Sequence, residues 1–343
     1  MAAARRSGDL VMHELRAREA WSQRDYSAAR NIAGIAVTLA DEAEDHHAWW
    51  NMTFLQAECF REEGNLEAAL STARELGKLG ITSESDALGA RVHTLTAICL
   101  QGLGHLDAAV QAAEAAVQRA ARVNGAPELQ IDAHRALIAA QAESDRLDDA
   151  WTTCLGLSTL ITSAIHAQTA GKAYWVIGNV AFMRHQVDDG TRFHRMAAEQ
   201  LSPNNDLELW AHFNRASAAL RLTAGVVDAE TLECIERAEV ASSIVGGTER
   251  DQLQLSLARA HWLLLTGQLN AAIERLRPIC AEGSVLSKQT EGEANLLLGQ
   301  ALVARDEELE ALAHFETSEQ CFEHAGAHDR AAHVREIVAG MRA

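Results

Sequence analysis

Apolar residues recur along this chain at three- and four-residue intervals, in blocks separated by short polar turns. Leu66, Ala69, Leu70, Ala73 and Leu76 form one such stripe; Leu106, Ala109, Val110, Ala113, Ala116 and Val117 form another. That spacing places each set on one face of an α-helix. The blocks come in pairs. In the second pair the pattern predicts a first helix from Asp45 to Glu63, a turn at Gly64 and Asn65, and a second helix from Leu66 to Leu79. Gly and Asn suit the turn because they tolerate the left-handed backbone that ends a helix.

The turn is written eight times: RDYSAA from Arg24, GNLEAA from Gly64, GHLDAA from Gly104, DRLDDA from Asp145, HQVDDG from His185, AGVVDAE from Ala224, GQLNAA from Gly267 and DEELEAL from Asp306. Its bulky residue falls at Tyr26, Leu66, Leu106, Leu147, Val187, Val227, Leu269 and Leu309, at intervals of 40, 40, 41, 40, 40, 42 and 40 residues; the sixth register fits Val226 equally. A fixed period of this length indicates stacked helix pairs, each unable to bury its apolar faces without its neighbours. The expected organisation is a flexible arm at 1–9, a repeat array at 10–327 and a capping helix at 328–343. The cap would bury Ala331, Val334, Ile337, Val338 and Met341 and turn Arg330, Arg335 and Glu336 to solvent. Gly246 and Gly247, and the stretch Glu282 to Ser287, read as loops between pairs.

Composition agrees with an all-α chain: among 343 residues only 3 are Pro, and the 48% hydrophobic content carries only 5% aromatics, so Ala and Leu, strong helix formers, dominate. No apolar run is long enough to span a bilayer and the N-terminus lacks a secretory core, which implies a cytoplasmic protein without membrane contact. A net charge of -18 disfavours phosphate binding and argues against direct nucleic-acid contact. Six cysteines are too few for a disulfide framework. Cys59 and Cys99 lie seven residues before a bulky turn residue, Cys154 and Cys234 seven after one, as buried small hydrophobes would.

GNLEAA, GHLDAA and GQLNAA resemble the core of the tetratricopeptide repeat, and the resemblance spans almost the whole chain. The period is near 40 residues instead of 34, and the Pro that commonly closes a unit is mostly missing. Units of this length are similar to those in the helical ligand-sensing regions of bacterial regulators that bind small peptides. The resemblance implies a right-handed superhelical solenoid of about eight helix pairs, with the first helix of each pair lining a concave wall.

On that template the residues fifteen, twelve and eight before each bulky turn residue face the wall. Fifteen before gives Asn51, Arg91, Asp132, Lys172 and His212; twelve before gives Phe54, Thr94, Arg135, Trp175 and Arg215; eight before gives Glu58 and Asn179 among smaller residues. The expected ligand-binding set is Asn51, Arg91, Arg135, Lys172, Trp175, Asn179, His212 and Arg215. Arg offers a planar fork to carboxylates, Asn a donor and an acceptor to an extended backbone, and Trp a rigid apolar contact. A peptide or acidic protein segment is the expected partner. The same side chains could instead be solvated helix positions paired with nearby Asp and Glu.

No cofactor is expected: the chain has no phosphate-binding glycine loop and no GxSxG elbow. His324, His328 and His333 invite a metal, but Ala325, Gly326 and Ala327 break the helical spacing that His324 and His328 would need. Trp49, Trp50, Trp151, Trp210 and Trp262 fall in or near apolar stripes and read as core. The leading expectation is a non-enzymatic binding scaffold, the alternative the ligand-sensing part of a bacterial transcriptional regulator whose DNA-binding part lies elsewhere, and a metal-dependent hydrolase ranks third. Arrays of this kind can self-associate, and nothing in the sequence sets an oligomeric state.

Overall fold

Arg24, Gly64, Gly104, Asp145, His185, Gly225, Gly267 and Asp306 all carry a positive φ, between 59 and 79°. Each is the left-handed residue that closes the first helix of a pair. The amide one residue later bonds back to the carbonyl five before it, as in Asn65 to Phe60 (2.8 Å), His105 to Leu100 (2.9 Å) and Gln268 to Leu263 (2.8 Å). This is the Schellman closure, which satisfies carbonyls that a helix end otherwise leaves bare. The recurring turn phrase is therefore a repeated helix stop, and glycine stands at Gly64 and Gly104 because it adopts this backbone without steric cost.

The computed structural model describes the backbone of residues 2–282 and 285–342 and, from residue 8 on, their side chains. Met1, the side chains of 2–7, the loop residues Gly283 and Ser284, and Ala343 lie outside the described residues. Within them are eighteen helices and no strand. The pairs are α1 (Ala2–Ser22) with α2 (Tyr26–Glu42), α3 (His46–Glu62) with α4 (Leu66–Gly77), α6 (Asp86–Gly102) with α7 (Leu106–Ala120), and α8 (Pro127–Glu143) with α9 (Leu147–Leu160). They continue as α10 (Ala167–Met183) with α11 (Val187–Gln200), α12 (Leu207–Thr223) with α13 (Ala229–Val245), α14 (Glu249–Leu265) with α15 (Leu269–Ala281), and α16 (Lys288–Val303) with α17 (Glu308–His324). The short α5 (Gly80–Glu84) and the terminal α18 (His328–Met341) complete the set. The stretch expected as an arm is helical from Ala2 onward.

Two registers are settled by the turns. Val226 donates to Arg221 as Asn65 does to Phe60, so the sixth bulky residue is Val227. In the eighth copy Glu307 donates to Leu302 and α17 begins at Glu308, so the equivalent position is Glu308, not Leu309. Leu309, an apolar residue in an acidic run, is 90% exposed.

Packing divides the chain into two units, Met1–Val180 and Ala181–Ala343, each with its own core. In the first, Ala69, Leu70, Ala73 and Leu76 of α4 and Ala109, Val110 and Ala113 of α7 are buried together with Trp50, Phe54, Leu95 and Cys99. In the second, Leu276 and Ile279 of α15 pack with Leu298 and Leu302 of α16, Phe315 and Phe322 of α17, and Val334 of α18. First helices also pack on one another, α6 on α8 in the first unit and α12 on α14 and α14 on α16 in the second, which forms a wall of first helices within each unit. Thr82 of α5 is buried, accepts the Trp50 indole N–H at 2.8 Å and donates to the Leu76 carbonyl. That anchor explains why α4 stops at Gly77 and the chain turns into α5. Cys59, Cys99, Cys154 and Cys234 are buried thiols, and burial pushes Cys59 up to about 12 and Cys99 to about 11.

Candidate functional site: the wall of first helices

In the first unit the offset residues meet one another. Arg91 donates through Nη1 to Asn51 Oδ1 at 3.2 Å, and its guanidinium carbon lies 4.2 Å from the centre of the Phe54 ring and 5.0 Å from that of Trp50. Phe54 and Trp50 stack at 5.1 Å, so the cation covers an aromatic floor. Glu58 sits in the same patch, where burial raises its carboxyl pKa against the lowering charges of Arg61 and Arg91. Arg135 donates to Asp132 of its own helix at 3.1 Å. Lys172, Trp175 and Asn179 lie on α10, half-buried.

In the second unit His212 and Arg215 of α12 border a cleft of about 220 Å³ whose other side is made by Ser242, Val245, Thr248 and Asp251. Arg215 also borders a second cleft of about 360 Å³, with Gln254, Leu257 and His261 of α14, Glu293 of α16 and Arg330 of α18. Arg215 donates to Asp251 Oδ1 at 2.5 Å. Asp251 is the third residue of α14 and closes a capping box with Thr248, which satisfies orphan donors at the helix start. Burial pushes its carboxyl up, but the bonds from Arg215 and Thr248 outweigh this and hold it well below the usual carboxylate range. Glu293 pairs with Arg330. Burial and the Arg330 charge push the His261 pKa down, against the raising charge of Glu293, which favours the neutral ring.

Gln254, Leu257 and His261 stand fifteen, twelve and eight residues before Leu269, and Glu293 stands fifteen before Glu308. They are wall positions that the sequence expectation did not reach, because it stopped at the sixth copy. The signal was present for the seventh copy; in the eighth, taking Leu309 as the reference shifts the frame to Ala294 and hides Glu293.

The clefts of the second unit are mixed in charge: Glu208, Asp251 and Glu293 border them beside Arg215 and Arg330. The reason is that each cleft arginine is met by a carboxylate from another helix, Asp251 or Glu293, 36 and 37 residues apart in sequence. The histidines near the end make other bonds, His324 to the Gln320 carbonyl and His328 to the Glu323 carboxylate. Among the described residues no group of three or more His, Cys, Asp and Glu is placed to hold a metal ion. None of their helices is long and apolar enough to cross a membrane.

No protein-family model matches the sequence, and no curated protein does. Solved structures do match. A Rap protein complexed with competence and sporulation factor aligns at a TM-score of 0.58 and 11% identity, over 99% of this chain and 98% of that one. Aspartyl phosphate phosphatase F from Bacillus subtilis aligns at 0.56 and 12%, over 84% and 75%. A tetratricopeptide repeat protein from Parabacteroides merdae aligns at 0.51 and 13%, over 86% and 99%. At such identities the likeness is one of architecture: this chain has the all-α helical-repeat fold of tetratricopeptide repeat proteins.

Proposed function

We propose that this chain is a non-enzymatic scaffold that binds a peptide, or an extended segment of a protein, along its wall of first helices. The observation that carries the reading is that residues at the three fixed offsets, Arg215, Gln254, Leu257, His261 and Glu293, line two adjoining clefts of the second unit. An extended peptide presents a donor and an acceptor at nearly every residue. Gln254 and His261 can each give and take a hydrogen bond, while Ala216 and Ala219 offer apolar surface to side chains. The similarly folded Rap protein was solved with competence and sporulation factor bound, which supports ligand binding on this fold and the variant reading of a sensor component in a bacterial regulatory system. A cytoplasmic site of action belongs to the same proposal.

Panning a random dodecapeptide display library against the full chain tests the reading. Selected peptides are expected to lose at least about tenfold in affinity, roughly 1.4 kcal/mol, on Gln254→Ala or His261→Ala and to keep it on Glu274→Ala of α15. Equal effects at all three positions would overturn it. The name of phosphatase F belongs to that protein. Turnover of acetyl phosphate by this chain, abolished by a wall substitution, would overturn the non-enzymatic part.

A further inference from the structure

Arg215 is the side chain shared by both clefts of the second unit, and its bond to Asp251 reaches 36 residues along the sequence to the first turn of α14. We propose that Asp251 is a built-in competitor on Arg215, and that the segment bound by this wall carries an Asp or Glu side chain which takes its place. The inference rests on the peptide-binding reading above and adds the chemistry of its central polar contact.

The two partners are not equally dependent on each other. Asp251 Oδ2 also accepts from the Thr248 backbone N–H at 3.0 Å and from Thr248 Oγ1 at 2.7 Å. It sits at a helix N-terminus, where negative charge is favoured. Losing Arg215 therefore leaves Asp251 hydrogen-bonded and electrostatically placed. Arg215 has no such reserve: its side chain is 21% exposed, and the second cleft it borders holds another guanidinium, Arg330. A cationic ligand that captured Asp251 would strand Arg215 without its carboxylate, since Glu293 is taken up by Arg330. An anionic ligand that captured Arg215 would strand nothing, so the asymmetry selects a carboxylate.

Other arginines of the unit contrast with this one. Arg259 grips Glu239 through both Nε and Nη2, at 2.9 and 2.6 Å. Arg221 is fully buried among Asp228, Glu230 and Thr231. Arg215 meets Asp251 through Nη1 at the edge of open space, and an incoming carboxylate can engage the guanidinium fork in the two-point geometry that Arg favours. The pair is 21% and 26% exposed, so a ligand can reach it, and the two bonds an incoming carboxylate makes to the fork replace the one that is lost.

The test is fluorescence polarisation of a labelled hexapeptide library, in pools with one fixed residue, on the full chain and on Asp251→Asn and Arg215→Gln. Asn at 251 keeps an oxygen for Thr248, and circular dichroism checks that both variants remain helical. Pools fixed as Glu or Asp are expected to bind Asp251→Asn at least about tenfold more tightly than the unaltered chain, pools fixed as Gln to change less than about twofold, and Arg215→Gln to erase the acidic preference. Peptide binding that is indifferent to both substitutions, or a preference for pools fixed as Lys, would overturn the competition and leave the wall reading standing. Absence of binding by every pool to the chain and to both variants would overturn both.

Discussion

Gly190 packs so closely on Phe182 that a methyl group built on it would lie 2.7 Å from ring carbon Cδ2. Gly190 occupies the position where most copies carry Ala, three residues after the bulky turn residue. Alanine there gains about 1 kcal/mol of helix propensity but must displace a buried ring, at about 1–3 kcal/mol. Gly190→Ala is therefore expected to destabilise the chain by about 1 kcal/mol in urea titrations. In the background of Phe182→Leu, which clears the space, the same substitution is expected to be neutral or stabilising. Stabilisation by Gly190→Ala alone would contradict the packing.

His185 and Glu44 hold φ of 60° and 55°, and both are exposed. Glycine takes this backbone freely, and its greater freedom in the unfolded chain offsets part of the gain. His185→Gly and Glu44→Gly are each expected to raise stability by about 0.5–1 kcal/mol. A loss of stability at both sites would show that the turns are not strained by side chains.

Arg221 is fully buried, while its partners Asp228 and Glu230 are partly open to water, 49% and 26% exposed. Removing the arginine leaves acids that water can reach; removing Asp228 leaves a buried cation short of a partner, which costs about 3 kcal/mol in comparable sites. Asp228→Asn is thus expected to be more damaging than Arg221→Met. Burial pushes the Asp228 carboxyl up, but the hydrogen bonds from Thr231 and the Arg221 charge hold it below its ordinary value. A depressed carboxylate stabilises the fold above its unfolded pKa, about 3.9, and loses that contribution as pH falls through its folded pKa. The gap between the unaltered chain and Asp228→Asn should be full above about pH 5 and close in stronger acid.

Glu58 has the opposite sign. Burial raises its carboxyl pKa, so the folded state prefers the proton. The associated stability is present below the unfolded pKa, about 4.3, and is lost as pH rises through the folded one. Glu58→Gln is expected to stabilise the chain more at pH 7 than at pH 4, read from thermal midpoints. A pH-independent effect would mean that Arg61 and Arg91 already compensate the charge.

The helix pairs were legible because the signal is local: a left-handed stop followed by a stripe of small and apolar residues. Leu66 and Ala69 announce their roles within one turn of helix. Arg215 does not, because its partner arrives from the next pair and no periodicity within α12 encodes Asp251. Gly190 departs from the Ala that most copies carry, and its reason, Phe182, lies on the other helix of its own pair. Leu309 misled for a related reason: hydrophobicity alone assigned it the reference position, while the backbone turn assigned Glu308. Arg91 was legible as a wall residue, but the aromatic floor of Trp50 and Phe54 beneath it follows only from the packing of α6 on α3.

Hydrogen exchange of the full chain, with and without a display-selected peptide, tests the central claim most directly. Binding along the wall should slow exchange in α12, α14 and α16 and leave α15 and α17 unchanged. Protection confined to those second helices, with none on α12 or α14, would contradict the account.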